Sequence, residues 1–273
     1  MNSRRTNINE MLAGEAFTEQ SKIFDQLYSS NKIIQYKRER VREHLKKYIV
    51  PGQLILELNS GTGVDAIWLA QQNCKVHATD ISSGMQEKLI QKIYSNKVEH
   101  LVSYELCSFT ELDNLQMNGP FDVIFSNFAG LNCTDRLDKV LASFSSLLKP
   151  NGIVTMVIMP KFCLWEFLLI AKGKFKTATR RFFSSKGRKA NVEGHLFKCW
   201  YYSPGFVKKY LKNTFDVISL EGLCVFVPPS YIEHFAEKHP RLFQFLKSVE
   251  NKWKSHWPWK YIGDYFIISM RKR

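Results

Sequence analysis

Paired cysteines are missing from this sequence. The six cysteines, Cys74, Cys107, Cys133, Cys163, Cys199 and Cys224, fall singly with no C-x-x-C spacing, which excludes a disulfide framework and leaves no metal-ligand set standing out. Glycine and proline are sparse, at 14 and 9 of 273 residues, and no Pro/Gly/Ser-rich linker divides the chain. One compact body with insertions is therefore expected, not two independent domains. Long apolar runs are lacking too. The longest, around FCLWEFLLIA, is interrupted by Glu166 and falls well short of the roughly 20 residues that span a bilayer. The leading MNSRRTNINEML has no continuous apolar core of the kind a secretion signal needs, so the expected location is the cytoplasm, where unpaired thiols stay reduced.

Acidic residues are the remaining shortage. Against 25 Asp+Glu stand 39 Lys+Arg, a net charge of +14, which favours anionic partners such as nucleic acid, anionic lipid or an acidic small molecule without choosing among them. Hydrophobic residues, by contrast, make up 45% of the chain, enough for one sizeable core. Apolar and charged positions mix at helical spacing over residues 16–49, predicting two helices in an N-terminal cap over residues 1–50. From Pro51 onward, strand-like and helix-like segments alternate: LILEL, VDAIWLAQQ, KVHATD, MQEKLIQKIYSN, LVSYEL, FDVIFSN, LDKVLASFSSLLK and, after the Pro150-Asn151-Gly152 turn, GIVTMVIM. FDVISLEG and YFIISMR supply late strands for an antiparallel edge. The reading is an α/β fold with a doubly wound, Rossmann-like, seven-stranded, mostly parallel sheet and an antiparallel last strand. Residues 51–160 form its core, 161–205 an insertion, and 206–273 the closing strands with a helical insertion at 228–260.

The chemistry starts at a glycine turn. In ILELNSGTGVDAIWLA, Gly61 and Gly63 fall at the C-terminal end of the first strand, where a parallel sheet binds its cofactor. Asp80 ends the next strand 17 residues after Gly63, a carboxylate suited to a ribose diol. Gly61, Gly63 and Ala66 also satisfy G-x-G-x-x-[GA], so an NAD-dependent oxidoreductase is an alternative. Asp65 in the first turn of the following helix and Glu57 just before the turn oppose a pyrophosphate there. A cofactor carrying a sulfonium and an ammonium meets no such conflict.

In this order and spacing the motifs resemble those of the class I S-adenosylmethionine-dependent methyltransferases, over roughly residues 20–160 and the final strands. Glu57, Gly61 and Gly63 of ELNSGTG match the family's [ED]-x-G-x-G-x-G; Asn59 stands where the family usually has glycine, and asparagine tolerates left-handed backbone better than other side chains. The resemblance implies S-adenosylmethionine as cofactor, bound by the 51–160 core. Asp80 would hold the ribose hydroxyls, with Ile81 and Met85 near the adenine. Cys107 and Ser108 stand where the family usually places an acidic residue for the adenine amino group. Asn127 and Phe128 of FDVIFSNFAGLN would lie near the sulfonium. Tyr28, Tyr36 and Arg40 of the N-terminal cap would close over the cofactor, Arg40 facing its carboxylate.

The layout is similar to that of quinone-biosynthesis and natural-product methyltransferases, implying a small, hydrophobic acceptor methylated at oxygen or carbon in specialised, quinone or lipid metabolism. For a general base His195 is the first candidate, with an ordinary surface or packing histidine as the plain alternative. Glu166, among large apolar residues, is the second if burial raises its pKa; it could equally face water. Trp165, Trp200, Tyr201 and Tyr202 could wall the acceptor pocket. Residues 161–189 hold nine Lys/Arg against Glu166 alone, interleaved with Phe162, Trp165, Phe167, Phe175, Phe182 and Phe183. That pattern fits a basic aromatic lid touching an anionic membrane or capping a greasy acidic substrate, or else a solvated loop. An RNA methyltransferase is a competing reading. The [DNS]-P-P-[YFW] of base amino-methyltransferases is replaced here by SNFAG, which argues against nucleic acid. A cofactor-binding scaffold without catalysis is the non-enzymatic alternative, and nothing in the sequence fixes the oligomeric state.

Overall fold

The computed structural model describes residues 8–117, 119–173, 175–232 and 234–273. Three helices come first, α1 (Ile8–Gln20), α2 (Phe24–Ser30) and α3 (Lys32–Leu45), where two were expected. The split falls at Asn31, whose extended backbone ends α2 and whose Oδ1 accepts the N–H groups of Ile33 and Ile34 to start α3. Then follow β1 (Leu54–Leu58), α4 (Val64–Gln71), β2 (Lys75–Asp80), α5 (Ser83–Asn96), β3 (Val102–Leu106), β4 (Phe121–Ser126), α6 (Leu137–Leu147) and β5 (Leu148–Ile158). The insertion contributes α7 (Leu164–Leu168), α8 (Phe175–Thr179) and a hairpin of β6 (Arg188–Val192) and β7 (His195–Cys199). The chain closes with α9 (Pro204–Leu211), β8 (Phe215–Leu223), α10 (Phe235–Lys238), α11 (Pro240–Trp253) and β9 (Tyr265–Lys272).

The main sheet has seven strands in the order β3-β2-β1-β4-β5-β9-β8, parallel from β3 to β5, with β9 antiparallel to both its neighbours. The edge is thus β8, and the last strand lies inside the sheet. The Pro150–Gly152 turn expected ahead of β5 falls within it as a bulge, Leu148 pairing with Phe121 and Ile153 with Val123.

Alternation along the strands divides the core into two layers. Leu56, Leu58, Ile124, Val154, Met156 and Ile268 point to one face and pack with Phe144 and Leu147 of α6 and Val207 and Leu211 of α9. Ile55, Val76, Val123, Phe125, Val157 and Ile267 point to the other, against Val41 and Leu45 of α3, Leu69 of α4, and Leu89 and Ile93 of α5. A polar seam crosses this second face. His44 of α3 is fully buried, with Nε2 2.8 Å from Ser269 Oγ and Nδ1 3.0 Å from Glu221 Oε1, and Ser269 in turn meets Thr155 Oγ1 at 2.7 Å. Arg40 and Lys47 also reach Glu221, each at 3.0 Å. These contacts tie α3 to β8 and β9.

The first helix lies across the C-terminal end of β2. Asn9 Nδ2 donates to Cys133 O (2.8 Å) and Lys198 O (3.0 Å), and the Phe17 and Phe197 rings meet at 5.8 Å, so α1 is held between the sheet and the β6–β7 hairpin. Beneath it, Thr18 Oγ1 contacts Ser82 Oγ at 2.8 Å. The approach depends on Gly84, where a Cβ would lie 2.7 Å from Ser21 Oγ and 2.8 Å from Thr18 O. Gly84→Val is expected to lift α1 from the sheet and destabilise the protein by about 1–3 kcal/mol. Limited proteolysis should then cut within residues 8–23 before any core segment; unchanged protection would contradict this docking.

Candidate active site

The C-terminal ends of β1, β2 and β4 converge on a cavity of about 170 Å³ roofed by α1 and α2. Its floor is the turn between β1 and α4. Asn59 adopts a left-handed conformation there (φ 47°), as does Gly61 (φ 56°). The Asn59 side chain locks the turn to β4, Nδ2 donating to Asn127 O (2.8 Å) and Oδ1 accepting from Ser126 Oγ (2.6 Å). A Cβ added at Gly61 would meet no atom within 4 Å, so the turn leaves open space on that side. Asp80 spans the gap between turns: Oδ2 accepts from Gly61 N (2.8 Å) and Oδ1 from Ser82 N (2.9 Å). Burial nevertheless pushes its carboxyl above the ordinary value.

Two further carboxylates lie beside it and differ in their partners. Asp65 is gripped by Arg38 Nη1 (2.9 Å), Arg42 Nε (2.9 Å) and Asn127 Nδ2 (2.7 Å). Burial alone would raise its pKa, but the two guanidinium groups and the amide outweigh it and hold Asp65 ionised below the usual range. Glu57 is equally buried, and its Oε2 has no hydrogen-bond partner among the described residues. Burial, then the neighbouring Asp65 charge, pushes its carboxyl well above the ordinary value. An unpaired acceptor of this kind calls for a cationic donor.

The wall after β4 carries backbone strain. Phe128 and Ala129 both have positive φ, 45° and 64°, held by Phe128 N donating to Asn127 Oδ1 (2.8 Å) and Ala129 N to Val157 O (3.1 Å). The Phe128 ring stands between Tyr265, at 6.3 Å, and the Arg38 guanidinium, at 5.1 Å. From the roof, Glu10, Ala13 and Phe17 of α1 and the stacked pair Phe24 and Tyr28 of α2 (4.0 Å) face the cavity. Glu10 is saturated, accepting from Ser108 Oγ (2.7 Å), Thr110 Oγ1 (2.6 Å) and Thr134 Oγ1 (2.6 Å).

Of the residues singled out from sequence, Tyr28, Glu57, Asn59, Gly61, Asp80, Ile81, Met85, Asn127 and Phe128 line this one cavity. Gly63 sits just behind it, starting α4 against Leu89. Others are placed elsewhere. Arg40 is buried against Glu221 and Glu43, and Tyr36 donates to Glu250 Oε1 (3.0 Å). The cation at the cavity is Arg38, two residues earlier and so about 200° round the same helix. Cys107 stays outside, its thiol toward Ser108 O (3.4 Å) and Glu111 O (3.8 Å), and Ser108 is taken up by Glu10.

Neither candidate base reaches the cavity. His195 is exposed at the start of β7, in a groove on the outer side of α1 shared with Met11, Glu15 and Glu19. Glu166 is buried, yet its pKa is lowered: burial raises it, but Arg180 (2.6 and 2.8 Å) and Arg181 (2.6 and 2.9 Å) outweigh that. The expected acceptor wall is structural as well. Trp200 and Tyr202 belong to the core under α6 and α9, and Tyr202 Oη donates to Thr134 O (2.6 Å). Tyr201 lies 5.1 Å from the Arg181 guanidinium, while Trp165 Nε1 donates to Val225 O (3.1 Å). Glu10, Phe17, Phe24, Arg38, Phe109 and Cys133 line the cavity without having been singled out. Only Arg38 carried a usable signal, its i, i+4 spacing to Arg42.

A sheet of this order, with an acidic β1 end, a glycine turn and an acidic β2 end around one cavity, has the fold of the class I S-adenosylmethionine-dependent methyltransferases. Residues 55–152 match the family described as a methyltransferase domain. An uncharacterized protein of Methanocaldococcus jannaschii is 25% identical over 234 residues, 81% of this chain and 86% of that protein. Ribosomal protein L11 methyltransferase of Thermosipho melanesiensis is 32% identical over 135 residues, 48% of each chain. In fold, the chain is similar to Burkholderia thailandensis 1,6-didemethyltoxoflavin-N1-methyltransferase bound to 1,6-didemethyltoxoflavin and S-adenosylhomocysteine. That likeness has a TM-score of 0.55 at 14% identity and covers 100% of this chain and 93% of the other.

The Glu166 arrangement makes a pH prediction. A carboxylate with a depressed folded pKa stabilises the protein above its unfolded value of 4.5, and that contribution is lost as pH falls through the folded pKa. Glu166→Gln should therefore cost about 3 kcal/mol at neutral pH, and the gap from wild type should shrink below pH 4.5. Denaturant unfolding of both proteins across pH measures it. A gap that widens on acidification would contradict the ion pairs.

Proposed function

We propose that this methyltransferase acts on oxygen or carbon of a small, hydrophobic acceptor in specialised, quinone or lipid metabolism. The observation that carries the reading is the roof: α1 and α2 close the cavity with Phe17, Phe24 and Tyr28 facing Asn127 and Phe128, an enclosure matched to a small apolar molecule. Bound S-adenosylmethionine supplies an electrophilic methyl carbon on a sulfonium. Around it, Asp80 would hold the ribose hydroxyls with lone pairs left free by Gly61 and Ser82, and Ile81 and Met85 would flank the adenine. The unpaired Oε2 of Glu57 fits the ammonium, and Arg38 takes the carboxylate role that Arg40 cannot reach. The donor set fits the cofactor.

The acceptor chemistry follows from what the lining lacks. Among the described residues no imidazole lines the cavity, and Glu10, Asp65 and Asp80 are each committed to other donors. Rate then comes from holding the nucleophile at near-attack geometry, and the acceptor brings its own acidity, as a carboxylic acid, phenol or enol does.

Calorimetric titration should show saturable binding of S-adenosylmethionine and S-adenosylhomocysteine and none of NADH. Asp80→Ala should abolish binding, and Glu57→Gln should weaken it by about tenfold. With methyl-labelled cofactor and a cell extract, label should enter the organic-soluble fraction; label in RNA or protein instead would overturn the acceptor class. His195→Ala should retain turnover, since loss of a general base would cost about 10²-fold or more.

A further inference from the structure

The insertion at residues 161–189 has an outer face that the cavity does not use. Its one acid, Glu166, is turned inward and enclosed by Arg180 and Arg181, and Arg181 also reaches Asp264 Oδ1 at 2.6 Å. With that acid withdrawn, the exposed charges on the described part of the segment are all basic: Lys161, Lys176, Lys186 and Lys189. Lys174 lies outside the described residues. Between these lysines stand apolar side chains with no core to enter. Phe183 is 70% exposed, Phe175 60% and Leu168 52%, and Phe167 and Phe182 are exposed beside them.

Two of these rings are joined through Phe162, and the segment that carries them is held. The Phe162 ring lies 5.5 Å from Phe167 and 5.8 Å from Phe182, making one aromatic patch of α7 and the turn after α8. Its base is fixed by Leu164 N donating to Ile262 O (2.9 Å), Trp165 Nε1 to Val225 O (3.1 Å) and Arg181 Nη2 to Asp264. An exposed apolar patch anchored this firmly is a surface for contact, not a frayed segment.

We propose that this face docks onto an anionic bilayer, the phenylalanines and Leu168 entering the acyl boundary and the surrounding lysines meeting lipid phosphates. Charge complementarity selects the occupant, because a basic rim around apolar rings matches a surface that is anionic outside and hydrocarbon just beneath. The large exposed apolar groups of the segment are phenylalanines and a leucine, side chains that enter hydrocarbon and carry no hydrogen-bonding group of their own. No helix of the described residues is long and apolar enough to cross a membrane, so the contact is peripheral.

Vesicle co-sedimentation of the full chain tests this without reference to its activity. Wild type should pellet with phosphatidylglycerol/phosphatidylcholine vesicles at low salt and remain in the supernatant with phosphatidylcholine alone. Raising salt to about 0.5 M should weaken binding severalfold. The double variant Phe182→Ser/Phe183→Ser should bind anionic vesicles at least about tenfold less tightly. Phe183→Ser alone, at the more exposed ring, should lose part of that with an unchanged thermal midpoint. Failure to pellet with anionic vesicles, equal pelleting with neutral ones, or saturable binding of total RNA that survives added vesicles would each overturn the proposal.

Discussion

A single buried carboxylate, Asp65, holds the walls of the cavity together. It sits in the first turn of α4 and is met by Arg38 and Arg42 from one face of α3 and by Asn127 from the end of β4. Arg42 also caps Val64 O, and Asn127 passes the constraint on through its Oδ1 to the strained Phe128. A charge buried in this way costs free energy unless every partner is present, and losing one leaves a penalty of about 3–5 kcal/mol. The third helix is thereby tied to the sheet and not merely laid on it. The same grip leaves Glu57, beside it, without a cation of its own. The contrast is between one acid satisfied by protein donors and one whose Oε2 has no hydrogen-bond partner among the described residues.

The roof follows a different rule. The first helix is held by small-residue contact at Gly84, by hydroxyl contacts at Thr18 and Ser82, and by ring contact with the β6–β7 hairpin. The second helix has no buried residue of its own, its Phe24 and Tyr28 facing the cavity instead. The second helix is therefore the roof element with the least packing.

The parallel half of the fold was legible because its signals are local. The β1 turn, Asp80 and Asn127 each sit at a strand end, where alternation and a glycine or asparagine mark the position within a few residues. Arg40 was misplaced because reading a helix to within two residues of phase decides which face a side chain takes, and Arg38 and Arg40 face opposite ways. Glu166 failed for another reason. An acid among apolar letters predicts a raised pKa only when no cation returns to it, and Arg180 and Arg181 return 14 and 15 residues later across a turn. The aromatic run Trp200, Tyr201, Tyr202 looked like an acceptor wall, but composition cannot distinguish a pocket from the core that supports one. The roof residues Glu10 and Phe17 carry no motif, since their role exists only once α1 lies across β2.

The interior position of β9 bears on how the protein is made. Residues 265–272 fill the gap between β5 and β8, bring Tyr265 against Phe128, and carry Ser269 to His44 near the start of the chain. While the ribosome is still adding residues, β1 to β5 can pair in the order they emerge, but β5 presents an open flank and β8 has no neighbour. The sheet cannot close until residues 265–272 have been made, and until then a long hydrophobic strand stays available to whatever chaperone or stray chain meets it first.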